Sequence, residues 1–401
     1  MISDVHQTSR RAGTYVDQPT GYKAFIPTKL PPNPSVQMDD EMWTLLSNAD
    51  RALGRLDGST EALPNPDLFV LMYVRKEAVL SAQIEGTQAS LAEVLELEAK
   101  VLDAAKPSDA VEVVNYIDAM NHGLSRLSEL PVSLRLIREI HSRVIDSTRG
   151  AEKSPGEFRT SQNWIGASSS NLNTAKFVPP PFQDMQIALG ELEAFIHDEA
   201  PTPSLIKVGL AHAQFETIHP FLDGNGRVGR LLITFLLCEK GILQRPLLYL
   251  SYYFKQHRSE YYDHLQAVRD GGDWEGWLKF FLRGVHQVAQ EATQTARSIV
   301  KLREHHRDLI LKQGGRSAGT MMRFLDQLFD HPIVTVGLVE KLVGIKFPNA
   351  NNLVKAFTSM GILEEISGRE RGRVFLYGSY FRLFHDEEIT LTESEVSESL
   401  S

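Results

Sequence analysis

Apolar residues spaced by three and four along most of the chain constrain its fold more than any other feature. The first such run begins near Met42 and continues to Leu56, with the spacing of one face of an α-helix. Alternating β-branched residues, which are typical of strands, are scarce in the helical stretch that follows. The sequence therefore predicts a mainly α fold.

Further helices are expected from the same periodicity and from cap and breaker residues. The pattern Ser90-x-x-Glu93 is a capping box, which marks the first turn of a helix. The expected helices cover about 67–85, a segment opened by Ser90, and 109–127, 133–147, 184–198, 203–217, 227–240, 258–270 and 273–311. Segment 157–181 differs, because glycine, asparagine and serine surround two short β-like pieces there, and we expect a β-hairpin.

Composition narrows the classes of protein further. The chain has 401 residues, enough for two or three domains. Its 42 basic and 51 acidic residues give a net charge of −9, so it has no general electrostatic attraction to nucleic acids or anionic membranes. A single cysteine, Cys238, allows no intramolecular disulfide. With no apparent signal peptide and no apolar run of the ~18–20 residues that a membrane span needs, we expect a cytoplasmic protein.

The most informative segment runs from His219 to Arg230. Gly224 and Gly226 allow the backbone to approach a ligand closely, and an apolar helix begins directly after them. A helix N-terminus binds anions because its first N–H groups lack acceptors and its dipole is positive there. Arg227 and Arg230 are cations in the first turn of that helix, which is unfavourable unless something negative lies between them. A polyphosphate would supply that charge.

Two other residues in this segment have the chemistry of a group-transfer site. Asp223, beside the expected phosphates, is a natural ligand for Mg²⁺, which prefers carboxylate and phosphate oxygens. His219 is the nearby side chain whose ordinary pKa suits a general base near neutral pH. The segment therefore combines a base, a metal ligand and a phosphate cradle.

The same segment matches, at every defined position, the Fic signature His-x-Phe-x-Asp-Gly-Asn-Gly-Arg-x-x-Arg, and the chain resembles that family over most of residues 60–285. The resemblance implies a Fic-type helical bundle with a β-hairpin flap, and AMP transfer from ATP to a Ser, Thr or Tyr hydroxyl of a target protein. His219 would deprotonate the hydroxyl, and Asp223 would bind Mg²⁺. ATP contacts would come from Gly224, Asn225, Gly226, Arg227 and Arg230.

The resemblance assigns two further regions. Residues Gly156–Thr160 lead into the hairpin, which resembles the flap that holds a target segment by strand addition; its docking residues would be Trp164, Ile165, Gly166 and Val178. Four tyrosines could border the adenine, although aromatic residues at this spacing are more often core: Tyr252, Tyr253, Tyr261 and Tyr262. Tyr252 is the candidate chosen for ATP binding. For Glu216 we favour a structural role over a role near the metal.

An inhibitory element is also expected upstream of the loop. Ser81 and Glu85 lie one helical turn apart, and Gly86 follows. A negative charge at a helix C-terminus opposes the dipole, so Glu85 needs a cation. The segment resembles the family's inhibitory motif Ser/Thr-x-x-x-Glu-Gly, whose glutamate pairs with the second arginine of the signature, here Arg230. The resemblance implies autoinhibition, with Glu85 in the place of the γ-phosphate.

The C-terminal part has a different pattern. Helices over 317–329, 335–343 and 349–360 and two strand-like pieces, 362–366 and 374–377, resemble a small winged-helix domain. Its candidate contact residues are Asn349, Asn351, Asn352, Lys355, Arg369, Arg371 and Arg373. We predict five segments: an extended N-terminal segment 1–40, an N-terminal helical region 41–130 with the inhibitory helix, a catalytic domain 131–312, the winged-helix-like domain 313–386 and an acidic tail 387–401.

Three functions of different classes remain open. The first is the self-inhibited protein adenylyltransferase, which can also modify itself. The second is an enzyme that removes AMP or transfers a phosphoryl group at the same site. The third is a transcription regulator that only senses nucleotide. The expected partners are ATP and an unknown target protein, with a homodimer or DNA contact through the C-terminal domain as further options and no membrane.

Overall fold

The computed structural model of the chain describes residues 11–61, 66–99, 109–146, 153–166, 169–368 and 372–384. Within these ranges there are fifteen α-helices and five short strands, and the prediction of a mainly α fold is confirmed. The tail 387–401 and two arginines of the predicted wing, Arg369 and Arg371, lie outside the described residues.

The helices follow the expected periodicity closely. The first ten are α1 (Asp40–Glu61), α2 (Pro66–Ile84), α3 (Leu91–Glu98), α4 (Asp109–Arg126), α5 (Leu134–Val144), α6 (Phe182–His197), α7 (Ser204–Ile218), α8 (Asn225–Glu239), α9 (Ser251–Gln256) and α10 (Arg258–Gly271). The last five are α11 (Trp274–Gln313), α12 (Ala318–Asp330), α13 (Val336–Val343), α14 (Phe347–Ser359) and α15 (Gly378–Phe381). The expected capping box is present: the Ser90 hydroxyl accepts the N–H of Glu93, whose carboxylate accepts the N–H of Ser90. The short helix α9 was not expected.

The chain divides into two compact units. The first consists of Met1–Gly58, Glu77–Ala89 and Ser108–Gln290, and the second of Ser59–Lys76, Ser90–Pro107 and Glu291–Ser401. The division into five segments made from the sequence stays a prediction.

In the first unit, helix α7 is the central element. Every residue from Leu205 to Ile218 is buried, as is expected of a helix that is apolar nearly all round. Helices α6 and α8 pack against it, and α4 and α5 pack against α8. The C-terminal end of α7 and the N-terminal end of α8 are separated only by residues 219–224, so the signature loop joins two buried helices and is held at both ends.

Residues 11–39 contain more regular structure than their prolines suggested. Strands β1 (Gly13–Asp17) and β2 (Lys23–Pro27) form an antiparallel hairpin, with Tyr15 opposite Phe25. Phe25 is fully buried, and its N–H donates to the carbonyl of Val178 at 2.9 Å. The available sequence signals of a hairpin were the short apolar run 24–26 and the glycine at position 21, whose φ in the structure is 91°.

The hairpin expected over 157–181 is reduced in the structure. A single antiparallel bridge joins Ile165 and Phe177, with N–H···O distances of 2.8 and 3.1 Å, and no named strand extends it within the described residues. Turns occupy 169–174, and Pro179–Pro181 lack the N–H groups that a longer ladder would need. Residues 167 and 168 lie outside the described ranges.

The C-terminal part of the second unit has the element order helix, strand, helix, helix, strand, strand. Strands β3 (Ile333–Thr335), β4 (Glu364–Glu365) and β5 (Val374–Leu376) form an antiparallel sheet in the order β3-β5-β4. On α14 the buried face consists of Ala350, Leu353, Val354 and Phe357. This order is the one expected of a winged helix, and that assignment stays a prediction. Among the described residues, no helix is both long and apolar enough to cross a membrane.

Candidate active site

The signature loop begins with a residue in an unusual conformation. Helix α7 ends at Ile218, and His219 follows with φ 49° and ψ 60°, in the left-handed region. Gly224, with φ 77°, is the N-cap of α8. Left-handed conformations are costly for residues other than glycine, so the loop holds His219 in a conformation that its own preference opposes.

Two buried side chains hold the loop together from inside. The Asn225 Oδ1 accepts the N–H of Phe221 at 2.8 Å, and its Nδ2 donates to the carbonyl of Phe221 at 2.8 Å. The ring of His141 stacks on the ring of Phe221, with centroids 3.7 Å apart. His141 Nδ1 accepts the N–H of Gly156, so the Nε2–H donates to the carbonyl of Asp223 at 3.0 Å. The side chain of Asn225, a residue predicted to cradle phosphate, therefore stabilises the loop instead. Its backbone N–H, at the first position of α8, is the group that could contact a phosphate.

The imidazole of His219 is neutral at physiological pH. Burial and the guanidinium charges of Arg269 and Arg159 lower the pKa of His219 to about 3. A neutral imidazole can accept a proton, as a general base must. A bound triphosphate would bring negative charge close to this ring and raise its pKa towards the range where base catalysis is most efficient.

The first arginine of the signature already has carboxylate partners. Arg227 is buried, and its Nη1 lies 3.3 Å from Oε2 of Glu112. Its Nη2 lies 3.6 Å from Oδ1 of Asp223, which also accepts the N–H of Gly224 at 2.5 Å. The Asp223 side chain is 46% exposed, so it is open to a cation from solvent while its main chain is fixed by His141.

The second arginine forms the ion pair that the resemblance implied. Nη2 of Arg230 donates to Oε1 of Glu85 at 2.8 Å and to the carbonyl of Ser81 at 2.9 Å. Its Nε donates to the Ser81 hydroxyl at 2.8 Å. The Arg230 side chain is 2% exposed, whereas that of Glu85 is 37% exposed. Three hydrogen bonds thus fix the guanidinium against the end of α2, while Glu85 stays accessible from the loop side.

Gly226 is the point at which the loop and Glu85 meet. A methyl group on its Cα would overlap Oε1 of Glu85 and lie 3.0 Å from Nη1 of Arg230. The absence of a side chain at this position therefore leaves room for a negatively charged group between the helix N-terminus and Arg230. In this structure Glu85 supplies that group. Gly86, with φ 98°, turns the chain directly after Glu85.

Glu216 is a buried acid behind the same arginine. Its side chain is buried, its Oε1 has no hydrogen-bond partner, and burial raises the pKa of Glu216 to about 7. A methyl group on Gly229 would overlap this oxygen, so α7 and α8 pack closely here. The structural role favoured for Glu216 stays a prediction.

This raised pKa predicts a pH dependence of stability. The unfolded acid titrates near 4.5 and the folded one near 7, so the folded state binds more protons between these values and stability falls as pH rises through the window. Glu216→Gln cannot ionise, so its unfolding free energy should fall less between pH 5 and 8, by roughly 3 kcal/mol. Urea denaturation at both pH values measures this. Glu77, whose pKa burial also raises to about 7, is unchanged in the variant, and equal slopes for both proteins would contradict the prediction.

The tyrosines fall into two groups. Tyr261 is a core residue, bonded through its hydroxyl to Nε2 of His212 at 2.9 Å, and Tyr253 is buried against Phe280. Tyr252, the candidate for ATP binding, and Tyr262 are only half-buried. The charges of Glu85 and Arg230 both influence the pKa of Tyr262, which burial raises to about 12. Tyr252 and Tyr262 therefore remain the candidates for an adenine wall.

The predicted docking residues differ in exposure. Trp164 is 42% exposed, and Ile165 is paired with Phe177 beside it. Val178 is buried, and its carbonyl accepts the N–H of Phe25. The carbonyl of Val178 is thus already bonded to the N-terminal hairpin. A target segment that adds as a strand would therefore have to pair with residues 164–166.

Family comparisons identify this arrangement of residues. Residues 43–125 match the N-terminal profile of the Fic/DOC family, and residues 131–237 match the Fic/DOC family profile itself. The second match contains the whole signature loop, and the first contains Glu85. Segments 43–125 and 131–237 of the chain are thus segments of the Fic/DOC type.

Several curated relatives of this chain carry the name protein adenylyltransferase Fic. The one from Aedes aegypti is 32% identical over 231 residues, which cover 54% of this chain and 43% of the relative. The one from Culex quinquefasciatus is 31% identical over 231 residues, again 54% of this chain and 43% of the relative. The matched segment thus spans less than half the length of these relatives.

Solved structures share the fold. A Fic family protein from Desulfovibrio desulfuricans G20 has a TM-score of 0.56 and 17% identity, and the match covers 85% of this chain and 97% of that one. A Fic domain containing signaling protein from Bacteroides thetaiotaomicron has a TM-score of 0.50 and 17% identity, covering 62% of this chain and 97% of that one.

Sequence reasoning missed the residues that support the loop from elsewhere in the chain. His141, Arg159 and Asn163 all bond to main-chain atoms of residues 218–223. Arg159 was noted only within the segment leading to the flap. Its role could not be read from its neighbours in sequence, because two of its acceptors, the carbonyls of Ile218 and His219, lie about sixty positions further along the chain.

Proposed function

We propose that this chain is a protein adenylyltransferase that transfers AMP from ATP to a hydroxyl of a target protein and to itself. The observation that carries the proposal is the complete loop from His219 to Arg230, with a neutral histidine beside a helix N-terminus. The name of the curated relatives supports the same activity. The target hydroxyl would give its proton to His219, its oxygen would bond to the α-phosphorus, and the bond from that phosphorus to the β-phosphate oxygen would break, releasing pyrophosphate.

Magnesium fits this site through Asp223. Its half-exposed carboxylate lies beside the first N–H groups of α8, and a hard cation takes one or two carboxylates together with phosphate oxygens. No cluster of three or more acidic, histidine or cysteine residues that could hold a metal occurs in the described ranges, so phosphate would have to complete the ligand set. When bound, Mg²⁺ would neutralise phosphate charge.

Asp223→Asn is expected to raise the Mg²⁺ concentration that gives half-maximal AMP transfer by about tenfold or more, because mutations at metal sites have effects of this size. Measurement in the Glu85→Gly background, over a series of Mg²⁺ concentrations, checks this. Asp198→Asn, at an exposed carboxylate after α6, is the control. An unchanged Mg²⁺ requirement would remove Asp223 from the metal site.

We further propose that Glu85 inhibits the enzyme. Its carboxylate occupies the space between Gly226 and Arg230, where the γ-phosphate would bind. With Arg230 engaged by Ser81 and Glu85, ATP would lack its outermost cationic contact and would bind in an unproductive pose.

The three functional classes make different products. Incubating Glu85→Gly with ATP labelled at the α- or the γ-phosphate separates them. Protein label from the α-position with release of pyrophosphate supports adenylyl transfer, whereas protein label from the γ-position would indicate phosphoryl transfer. Release of AMP from previously labelled protein would indicate removal, and nucleotide binding with no label in either direction would indicate a sensor.

The C-terminal domain is proposed as a docking module, with duplex DNA as one candidate partner. On α14, Asn349, Asn352 and Lys355 are exposed beside the half-buried Asn351, on the face opposite the core. Arg373 is paired with Glu365 at 3.3 Å. Salt-dependent binding to a labelled duplex that Lys355→Ala weakens would support DNA. The homodimer and the cytoplasmic location stay predictions.

A further inference from the structure

The conformation of His219 needs an explanation that the signature loop does not provide. In the described ranges only two residues other than glycine have a positive φ, Ser154 and His219. Such conformations cost about 1–3 kcal/mol and persist only where the surroundings enforce them. The hydrogen bonds of Asn225 hold Phe221, whereas the side chains that hold the carbonyl of His219 itself come from outside residues 219–230.

Two side chains from the segment before the flap converge on this main chain. Nε of Arg159 donates to the carbonyl of His219 at 3.0 Å, and Nδ2 of Asn163 donates to the same oxygen at 3.2 Å. The N–H of Arg159 donates to the carbonyl of Pro220 at 2.9 Å, and Nδ2 of Asn163 to that of Phe221 at 2.8 Å. The three successive carbonyls of residues 219–221 are thus all held by hydrogen bonds from Arg159 and Asn163.

Arg159 is an unusual buried cation. Its side chain is 1% exposed, and its charge forms no ion pair with any carboxylate of the described residues. Its guanidinium donates only to main-chain carbonyls, those of Ser161, Pro180, Ile218 and His219. Burial lowers the pKa of Arg159 to about 10, so it remains charged at neutral pH. Burial of a cation without a carboxylate is costly unless its donors are satisfied, so the carbonyls that accept from Arg159 offset the cost of its burial and are held in place by it.

The same guanidinium reaches the far side of the flap. Nη2 of Arg159 donates to the carbonyl of Pro180 at 2.6 Å, and Nε2 of the nearby Gln162 donates to that of Pro179 at 2.8 Å. In the sequence, both prolines come directly after Val178, which follows Phe177, the residue paired with Ile165. Arg159 therefore connects both ends of the predicted docking segment to the proposed base.

We propose that Arg159 and Asn163 are positioning residues for His219: they hold its main chain in the left-handed conformation and keep it in register with the segment that docks the target. This inference rests on the proposed function. Arg159 also acts on the ring through its charge, since it and Arg269 on α10 are the cations that lower the pKa of His219. Glu216 on α7, the acid three residues before His219, is itself buried with a raised pKa.

The test separates hydrogen bonding from charge. In the Glu85→Gly background, Arg159→Met should lower kcat for AMP transfer about a hundredfold, because a small misplacement of a catalytic group has effects of this size, with the KM for ATP within about threefold. Arg159→Lys and Asn163→Ala should also lower kcat. A nuclear magnetic resonance titration of His219 should show a pKa raised by about one unit in Arg159→Met and little changed in Arg159→Lys and Asn163→Ala.

Arg135→Met, at an exposed arginine of α5, is the control and should match the parent in all readouts. An unchanged kcat in Arg159→Met, or a raised KM for ATP with unchanged kcat, would overturn the proposal. If Arg159→Met does not fold by circular dichroism, Arg159→Lys and Asn163→Ala decide by the same criteria. If the Glu85→Gly parent binds ATP but transfers no AMP, the proposed function fails, whereas the His219 titration still tests the coupling to Arg159.

Discussion

Replacing Glu85 with glycine is expected to raise the rate of self-modification by about ten- to a hundredfold. The carboxylate of Glu85 lies 2.8 Å from Nη2 of Arg230, and hydrogen bonds to charged groups contribute about 1.5–3 kcal/mol. A factor of ten corresponds to about 1.4 kcal/mol, so losing this contact should release Arg230 for ATP to that extent. Incorporation of α-labelled AMP into the protein, at fixed ATP and Mg²⁺, measures the effect.

Two matched variants identify the cause. Glu85→Gln keeps the length of the side chain but loses its charge, so we expect activation smaller than that of Glu85→Gly. Gln88→Gly introduces a glycine at an exposed position three residues after Glu85, and we expect no activation from it. Equal incorporation by the wild type and Glu85→Gly, with both binding ATP, would rule out Glu85 as an inhibitor.

The second large effect is expected from replacing His219, the proposed general base. In the Glu85→Gly background, His219→Ala should lower AMP incorporation by about a hundred- to ten-thousandfold, the usual contribution of a general base. ATP binding should change little, because His219 precedes α8 and the proposed phosphate contacts are main-chain N–H groups and arginines. Single-turnover incorporation and equilibrium binding of ATP, measured on the same protein, separate the two properties.

His257→Ala provides a control with the same chemical change, since His257 lies at the start of α10 and pairs with the exposed Glu260. It should keep the parent rate. If His219→Ala retains the parent rate while ATP binding is intact, then another group accepts the proton and the assignment of His219 is wrong.

Local features of this molecule were predictable from sequence, because local interactions determine them. The periodicity of apolar residues predicted nearly every helix, and the capping box at Ser90 marked the start of α3. The signature loop was recognisable because its glycines, its arginines and the helix N-terminus are contiguous. The ion pair of Glu85 and Arg230 was accessible only through the family resemblance, since the two residues are 145 positions apart.

The errors have a common physical origin. The contact of β2 with Val178 and the bonds from Arg159 and Asn163 to residues 218–221 join segments that are far apart in sequence. Polar residues in such long-range contacts carry no periodic pattern. The hairpin expected over 157–181 failed for a related reason: glycine and serine there indicated a turn, but the ladder is limited to one bridge and its flank is used by the N-terminal strand.

Gly226 gives the inhibitory contact a further property. Since its missing side chain leaves one space that either Glu85 or the γ-phosphate could fill, Glu85 would act as a tethered competitor of the γ-phosphate, with an effective concentration set by the chain that carries it. Because ATP that lacks this one contact would still bind in the unproductive pose, additional ATP would not displace Glu85. The wild type should therefore remain slower than Glu85→Gly even at saturating ATP, and activation would require the end of α2 to move away from Gly226.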